Sequence, residues 1–223
     1  MTRTPLKHRI LPSYTKGEEI FNMTSHIAGG ALGVAMLTLC VVRSAIRANV
    51  WGVVGSAIYG AALILLFTAS SIYHGLRPGL GKLVFQVIDH CTIYFLIAGT
   101  YTPIVLCSIR RVSPAWGWTI FGIVWGLCAF AATLTAIDLK KYKTLSMICY
   151  IAMGWCIVIA AKTAIRAIPA AGLVRLLAGG VAYTVGAVLY GVGKKVKYMH
   201  SVFHLFVLAG CICQFVCIFF YVI

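Results

Sequence analysis

Long apolar runs separated by short charged segments constrain the fold of this chain more than any other feature. A membrane-spanning helix needs about 20 mostly apolar residues to cross about 30 Å of hydrocarbon. Seven stretches are long enough, namely Glu19–Val42, Trp51–Gly75, Val84–Ser108, Ala115–Ile137, Thr144–Ala161, Gly172–Val192 and His200–Ile223. The sequence therefore predicts an all-α protein, a polytopic bundle of seven transmembrane helices over residues 19–223, which follows a short basic tail of residues 1–18.

The amino-acid composition excludes a soluble globular protein, since 61% of the residues are hydrophobic and only 10% are charged. The net charge of +15 would suit a nucleic-acid-binding protein, but the 19 Lys and Arg residues lie in short groups between the apolar runs. That pattern is typical of membrane loops, where basic residues meet anionic lipid headgroups. We therefore expect membrane lipids as partners and no nucleic acid, and the sequence indicates no protein partner.

The distribution of Lys and Arg over the two sides of the bundle indicates its orientation. The tail and the second, fourth and sixth connections carry 12 of the 19 basic residues, counting Arg3 in the tail, Lys82 in the second connection, and Lys194 and Lys195 in the sixth. Because basic loops remain on the cytosolic side, this bias predicts a cytosolic amino terminus and an outward carboxyl terminus. The basic tail lacks the apolar core of a signal peptide, so we expect no cleaved leader.

Glycine pairs four residues apart predict close approach of neighbouring helices. Two examples are the pair Gly29 and Gly33 and the pair Gly122 and Gly126. Small residues at this spacing form a groove on one helix face that a second helix can enter.

A histidine pair begins the last apolar run. His200 and His204 lie four residues apart, so both imidazoles project from one face of a helix. Such a pair is suited to be two ligands of a zinc ion, although the site requires a third. The alternative is two unrelated histidines at the membrane interface.

Other polar residues lie at the same depth of the predicted bundle. On helices one, two and three they are Glu19, Asn22, His26, Ser70, Ser71, His74, Asp89 and His90. With Glu18 beside Glu19, and with His200 and His204, five of the six histidines and three of the four acids share one end of the bundle. Ionisable groups in a membrane are costly and mark functional sites, so this shared depth indicates one polar site.

Within this set, His74 is the best third ligand. Three histidines leave the fourth position of a tetrahedral zinc open, as in catalytic rather than structural sites. Asp89 is placed to orient a water and transfer its proton, and Ser70 to hydrogen-bond that water or a developing oxyanion. Imidazole ligands favour zinc over magnesium or calcium.

Three further residues are auxiliary candidates with competing interpretations. Glu19 is placed either to assist the site or simply as a favourable acid in a first helical turn. His26 is a proton relay, a fourth ligand or a packed core histidine, and we favour packing for both His26 and His90. His74 and His90 would, taken singly, also suit helix-end residues that reach the interface.

The motifs of several other enzyme classes do not occur in the sequence. The sequence contains no HExxH motif of a zinc protease, no GxSxG motif and no glycine-rich phosphate loop. The last run contains no lysine for a retinal Schiff base, since Lys194, Lys195 and Lys197 precede it.

The sequence resembles the haemolysin III group, within the progestin and adipoQ receptor family that includes the adiponectin receptors. The matching motifs extend along nearly the whole chain. They are EEIFNMTSH at Glu18–His26, ASSIYH at Ala69–His74, DHCTIYFLIAGTYTP at Asp89–Pro103, YIAMGW at Tyr150–Trp155, GGVAYTVG at Gly179–Gly186, and HSVFHLFVLAG at His200–Gly210.

The resemblance implies a zinc ion near the cytosolic face, held by His74, His200 and His204, with Asp89 and Ser70 beside it. Because the wider superfamily includes alkaline ceramidases, it also implies zinc-dependent hydrolysis of a lipid amide, membrane lipid homeostasis, and residence in the bacterial inner (plasma) membrane. Many bacterial relatives carry a histidine where this chain has Gln214, so a proton path through that position is in doubt.

Two alternatives to an enzyme stay open. One is a sensor or regulator of membrane state in which the zinc is structural. The other is a pore-forming cytolysin, as the group name suggests, although a uniformly apolar bundle without an amphipathic insertion segment gives that interpretation little support.

Overall fold

A computed structural model describes residues 4–193 and 196–223. Over those residues the chain is helical and free of strands, and seven helices are long and apolar enough to cross a membrane. They are α1 (Lys16–Ile46), α2 (Val50–Gly75), α3 (Leu80–Val112), α4 (Pro114–Ile137), α5 (Lys143–Ala167), α6 (Ala170–Val192) and α7 (Met199–Val222). The predicted all-α bundle of seven helices is confirmed.

The orientation in the membrane and the division at residue 18 stay predictions. Three residues of the charge count, Arg3, Lys194 and Lys195, lie outside the described residues. Helix α1 begins at Lys16, three residues before the predicted start. We call the end of the bundle at which α1, α3, α5 and α7 begin the tail-side end, because residues 4–15 lie there.

Local sequence signals explain where the first helices begin. Thr15 caps α1 in a capping box: its hydroxyl accepts from the Glu18 amide (3.3 Å), and the Glu18 carboxylate accepts from the Thr15 amide (2.8 Å). The Asn49 side chain caps α2 by accepting from the Gly52 amide at 3.0 Å. These caps satisfy amides that have no partner within the helix.

The predicted position of Lys82, in the second connection, is wrong. We expected it in a loop, but α3 already begins at Leu80, after Gly79, and the Lys82 side chain is buried. Its ammonium donates to the Glu19 carboxylate (2.7 Å) and to the Leu76 carbonyl (3.0 Å), which compensates the loss of hydration. Lys82 is therefore not a loop charge and does not contribute to the charge bias.

Helices α1, α2 and α3 approach one another at glycines. A Cβ added to Gly29 would lie 2.6 Å from the Phe67 ring, and one added to Gly33 would touch Leu63 at 3.4 Å. A Cβ at Gly55 would lie 2.9 Å from the Cα of Pro103. The close approach predicted at Gly29 and Gly33 is thus confirmed.

The prediction for Gly122 and Gly126 is wrong. A Cβ at either position would meet nothing within 4 Å, and both residues are exposed on the outer face of α4. The inner face of α4 is instead formed by Ile120, Val124 and Cys128. Spacing places two glycines on one face of a helix, but packing decides whether a neighbour lies against that face.

The second half of the bundle is less regular, and α5 packs sparsely in it, whereas α6 packs closely on α7. Helix α3 contains Pro103 and then a π-helical turn at Val105–Ile109, a distortion expected where proline removes a backbone donor. Helix α5 is interrupted by a 3₁₀ segment at Cys156–Ala160. Helices α5 and α6 pack sparsely against each other, and a cavity lies between them and the rest of the bundle.

Candidate metal centre

Three histidines converge at the tail-side end of the bundle. His74 lies in the last turn of α2, and His200 and His204 lie in the first two turns of α7. The Nε2 atom of His200 is 3.3 Å from that of His74 and 3.1 Å from that of His204. Two ligands of a tetrahedral zinc ion with bonds of 2.0–2.1 Å lie about 3.3 Å apart, so these nitrogens can share one metal ion.

Glu19 and Lys82 fix the orientation of His74. The Glu19 carboxylate lies 2.6 Å from Nδ1 of His74, and its other oxygen accepts from the Lys82 ammonium at 2.7 Å. With Nδ1 held by a carboxylate, the Nε2 lone pair of His74 points to the other two histidines. The arrangement favours Glu19 as an auxiliary of the site over a merely favourable first-turn acid.

Helix α1 positions α7 through three successive contacts. The Glu18 carboxylate accepts from the Tyr198 amide at 2.7 Å, where the backbone takes a left-handed conformation (φ 60°) just before α7. Asn22 accepts from the Ser201 hydroxyl at 2.7 Å. His26 then stacks on His204 with ring centroids 3.7 Å apart. Three residues spaced four apart on α1 thus fix the position of α7 along the bundle axis.

His26 and His90 lie beside the histidine cluster and outside the group that can share one ion. Among the described residues that group consists of His74, His200 and His204. His26 packs between His204 and Phe67, and neither of its ring nitrogens has a partner in the described chain. His90 Nδ1 lies 2.8 Å from the Gln86 carbonyl. Both residues also border the cavity, and His90 lies 3.9 Å from the Asp89 carboxylate, so their roles stay predictions.

Asp89 and Ser70 stand on the wall of the cavity into which the cluster opens. The Ser70 side chain is buried and faces the Asp89 carboxylate. The same cavity is bordered by His200 and His204. Both predicted catalytic residues therefore lie where a group bound at the cluster would meet them, and their catalytic roles stay predictions.

The cavity extends from the cluster into the middle of the bundle. Its volume is about 170 Å³, and its wall is mostly apolar side chains of α3, α5, α6 and α7, with Gln214 among them. An elongated apolar space that begins at a polar cluster suits a lipid chain with its polar end at the histidines.

Three residues at the site were not predicted from the sequence: Tyr14, Glu18 and Lys82. The Tyr14 ring stacks on His200 (centroids 5.0 Å apart, planes at 14°), and burial raises the pKa of its hydroxyl, so the ring is neutral at physiological pH. The Thr15–Glu18 capping box was visible in the sequence and could have located Glu18 at the helix start. No local signal indicated that Tyr14 or Lys82 reaches the site.

Fold and site together define a class: a multi-pass membrane protein with a buried three-histidine group that could hold a metal ion. Comparison with known proteins then gives the family. A family profile described as Haemolysin-III related matches residues 14–215, and the chain belongs to this family.

Similar proteins come from bacteria and mammals. The chain is 34% identical to Hemolysin-3 of Bacillus cereus over 206 residues, which cover 92% of each chain. It is also 34% identical to the Hemolysin-3 homolog of Bacillus subtilis, over 93% of this chain and 96% of that one. A human protein, Monocyte to macrophage differentiation factor, is 26% identical over 70% of this chain and supports the wider adipoQ receptor-like family. No solved structure matches the chain.

Proposed function

We propose that this protein is a zinc-dependent hydrolase of a lipid amide or ester that acts within the cytoplasmic membrane and contributes to membrane lipid homeostasis. The proposal rests on one observation. The three-histidine cluster borders an apolar cavity, and Asp89 and Ser70 lie on the wall of that cavity. A lipid chain in the cavity would bring its polar linkage to the cluster.

The donor set of the cluster suits zinc. Three imidazole nitrogens at these separations leave one tetrahedral position open, and the carboxylate on His74 supplies the outer hydrogen bond common to zinc-binding histidines. When bound, zinc would polarise the substrate carbonyl and allow water to ionise near neutral pH.

The residues of the chain would supply the proton transfers and the positioning. Asp89 would accept a proton from the attacking water and return it to the departing amine or alcohol. The Ser70 hydroxyl would orient that carboxylate or donate to the developing oxyanion. The apolar wall would hold the chain of the lipid and exclude bulk water from the reacting linkage.

The charge bias supports a site near the cytosolic leaflet. Because the basic tail and connections lie at the same end as the histidines, a cytosolic amino terminus would place the cluster close to the cytosol. The substrate would then be drawn from the inner leaflet.

Metal analysis of purified protein tests the zinc assignment. We expect about one zinc per chain in the wild type and little in His204→Ala. His8→Ala, which changes an exposed histidine of the tail, is the matched control and should retain the metal. Equal zinc in the wild type and His204→Ala would overturn the assignment.

A structural zinc in a non-enzymatic sensor is the second candidate. It is favoured by one observation: the cluster and its Glu19–Lys82 contacts join the ends of α1, α2, α3 and α7. The variant Asp89→Asn separates the candidates. A catalytic protein would keep its zinc and lose turnover of lipid amides and esters, whereas a sensor would keep both its zinc and its ability to complement a deletion.

The names of the two Bacillus relatives suggest a third function, the lysis of cells. Purified protein added to erythrocytes from outside is the direct test. Lysis at a rate that depends on protein concentration would favour a cytolysin over an enzyme.

A further inference from the structure

The deep end of the cavity contains a polar atom without a partner. Gln214 lies on α7, ten residues after His204, which corresponds to about 15 Å along the helix. Its side chain is 4% exposed. The Nε2 group donates to the Leu176 carbonyl at 3.0 Å, whereas Oε1 is buried and has no partner among the described residues. A buried oxygen without a donor is destabilising unless a ligand supplies one.

The surroundings hold this amide in one orientation. Gly179 on α6 makes room for it, since a Cβ there would lie 2.5 Å from Nε2 of Gln214. The bond to Leu176 uses the NH₂ group, so the oxygen is the atom left for another partner. The nearby polar groups of the wall are already paired. Thr184 accepts from the Trp155 indole (3.1 Å), and the Tyr101 hydroxyl donates to the Gly154 carbonyl (2.8 Å).

We propose that Gln214 is a specificity-determining residue, which accepts a hydrogen bond from a hydroxyl or amide N–H carried by the bound chain about 15 Å from the histidine cluster. The inference rests on the proposed function, because it takes the cavity as the site of a lipid chain. A neutral donor fits better than a cation, since the carboxylate on the cavity wall, Asp89, lies at the opposite end.

Competition binding with two fatty acids of equal length tests the proposal. One probe is stearate and the other is a hydroxystearate with its hydroxyl about 15 Å along the chain from the carboxylate. We expect the wild type to bind the hydroxylated chain about tenfold more tightly, the effect of one buried hydrogen bond. Gln214→Met, which keeps the volume and removes the acceptor, should abolish that ratio. Val207→Ala, a cavity-wall control between His204 and Gln214, should weaken both ligands equally and preserve the ratio.

The outcomes separate this inference from the proposed function. Equal affinity of the wild type for both chains would overturn the role of Gln214 and leave the lipid site intact. A ratio that survives in Gln214→Met would also overturn it. If a folded, zinc-loaded wild type binds neither chain, the lipid assignment of the cavity fails, and the role of Gln214 fails with it.

A separate observation concerns the segment Thr4–Thr15, which we name the strap. The Thr4 amide donates to the Asp138 carboxylate at 3.0 Å, and the Arg9 guanidinium donates to the Ile137 carbonyl at 2.8 Å. These bonds fix one end of the strap to the connection between α4 and α5. The other end enters α1 through the Thr15 cap. The strap therefore crosses the tail-side end of the bundle.

Tyr14 stands between the histidines and a second cavity. Its ring stacks on His200 and lies 5.7 Å from the His74 ring. Outside it is a more polar cavity of about 740 Å³, which is bordered by Tyr14 itself, by Lys197, and by two residues that also border the inner cavity, His200 and Tyr190. His200 is half-buried, whereas His74 and His204 are buried, so the outer cavity meets the cluster at His200.

We infer that the strap is a lid over an aqueous entrance to the cluster and that Tyr14 is the residue that closes it. Water, the metal ion and a polar product would pass through the outer cavity when the Tyr14 ring leaves His200. The bonds of Thr4 and Arg9 set how often the strap opens.

Carbethoxylation of His200 in the metal-free protein, located by peptide mass spectrometry, tests the lid and does not require zinc binding. We expect Tyr14→Ala to accelerate modification about tenfold, the effect of losing one aromatic stack. Tyr14→Phe should react like the wild type. Arg9→Ala, which loosens the distant anchor, should accelerate it to a smaller extent. Tyr221→Ala, at a tyrosine near the opposite end of the bundle that contacts Arg175, is the matched control and should change nothing.

Equal modification rates in the wild type and Tyr14→Ala, with unchanged thermal stability, would overturn the lid. So would acceleration in Tyr14→Phe equal to that in Tyr14→Ala, because the hydroxyl rather than the stacked ring would then control access.

Discussion

The two sides of the bundle differ in how closely their helices approach. On one side, α1, α2 and α3 meet at glycines whose missing side chains leave no spare room, as at Gly29 and Gly55. On the other side, α5 and α6 pack sparsely and leave an apolar cavity. The close-packed helices α1 and α2 thus position the histidine group that could hold a metal ion, and the gap beside α5 leaves space for a ligand.

Helix α7 belongs to both sides. Its first turns carry His200 and His204, whose height is fixed by hydrogen bonds and stacking from α1. Its middle faces the cavity with Gln214, whose oxygen has no partner in the described chain. One helix thus carries two of the three clustered histidines near its start and, ten residues after His204, an acceptor without a partner among the described residues.

A bulky residue at a close-packed glycine should have the largest effect on stability. Gly55→Leu would force the backbones of α2 and α3 apart at Pro103, and we expect a loss of about 3 kcal/mol in the free energy of unfolding. Gly126→Leu, on the outer face of α4, should cost less than about 0.5 kcal/mol. Unfolding in detergent measures both values. Equal losses would mean that the two faces do not differ in packing.

Removal of the carboxylate behind His74 should weaken metal binding. Glu19→Ala frees the His74 ring and leaves the Lys82 ammonium without its carboxylate, so we expect zinc affinity to fall about 10–100-fold. Titration with a competing chelator measures the change, and Thr24→Ala, at an exposed position of the same helix, serves as the control. An affinity equal to the wild-type value in a folded variant would contradict the role of Glu19.

A large side chain at the edge of the cavity should weaken fatty-acid binding and leave the stability of the protein unchanged. Leu177 lines the cavity and is 46% exposed, so Leu177→Trp should fill its mouth and reduce fatty-acid affinity about tenfold, with little change in Tm. Leu65→Trp, at an equally exposed leucine of α2 away from the cavity, is the control. Identical binding by the two variants would argue against entry between α5 and α6.

The smallest expected effect concerns the strap, which connects the two sides. Hydrogen bonds from the Thr4 and Lys141 amides lower the pKa of the Asp138 carboxyl to about 2. A depressed folded-state pKa stabilises the protein above the unfolded value near 4, and this contribution disappears as the pH falls toward 2. We expect the Tm of the wild type to decrease between pH 4 and pH 2 by about 2–4 °C more than that of Asp138→Asn. Parallel curves for the two proteins would show that the anchor does not titrate in this range.

Much of the architecture was predictable because a bilayer imposes length and apolarity. The seven helices followed from the hydrophobic runs, and the depth of His74, Asp89, His200 and His204 followed from their distance to the helix ends. The structure brings these three histidines together and places Asp89 on the adjoining cavity wall. What they bind and whether they catalyse stay predictions.

The positions of Lys82 and Tyr14 were not predicted for the same reason. The sequence alone predicts that Lys82 lies in a loop. Burial of its ammonium is tolerable only because the Glu19 carboxylate lies beside it, and that contact is visible only in the structure. Tyr14 lies in a polar tail, and its position over His200 depends on anchors more than 120 residues away in sequence. Local patterns do not contain such partners.

The sequence by itself determined the number of helices, their membrane class and the depth of the polar residues, since each depends on how single segments interact with lipid and water. The tertiary structure alone decided which face of α4 is bare, which acid supports His74, where the cavity lies and what covers the cluster. Those properties depend on rotation and pairing of helices, and the free energy of helix pairing comes from side-chain contacts between segments distant in the chain.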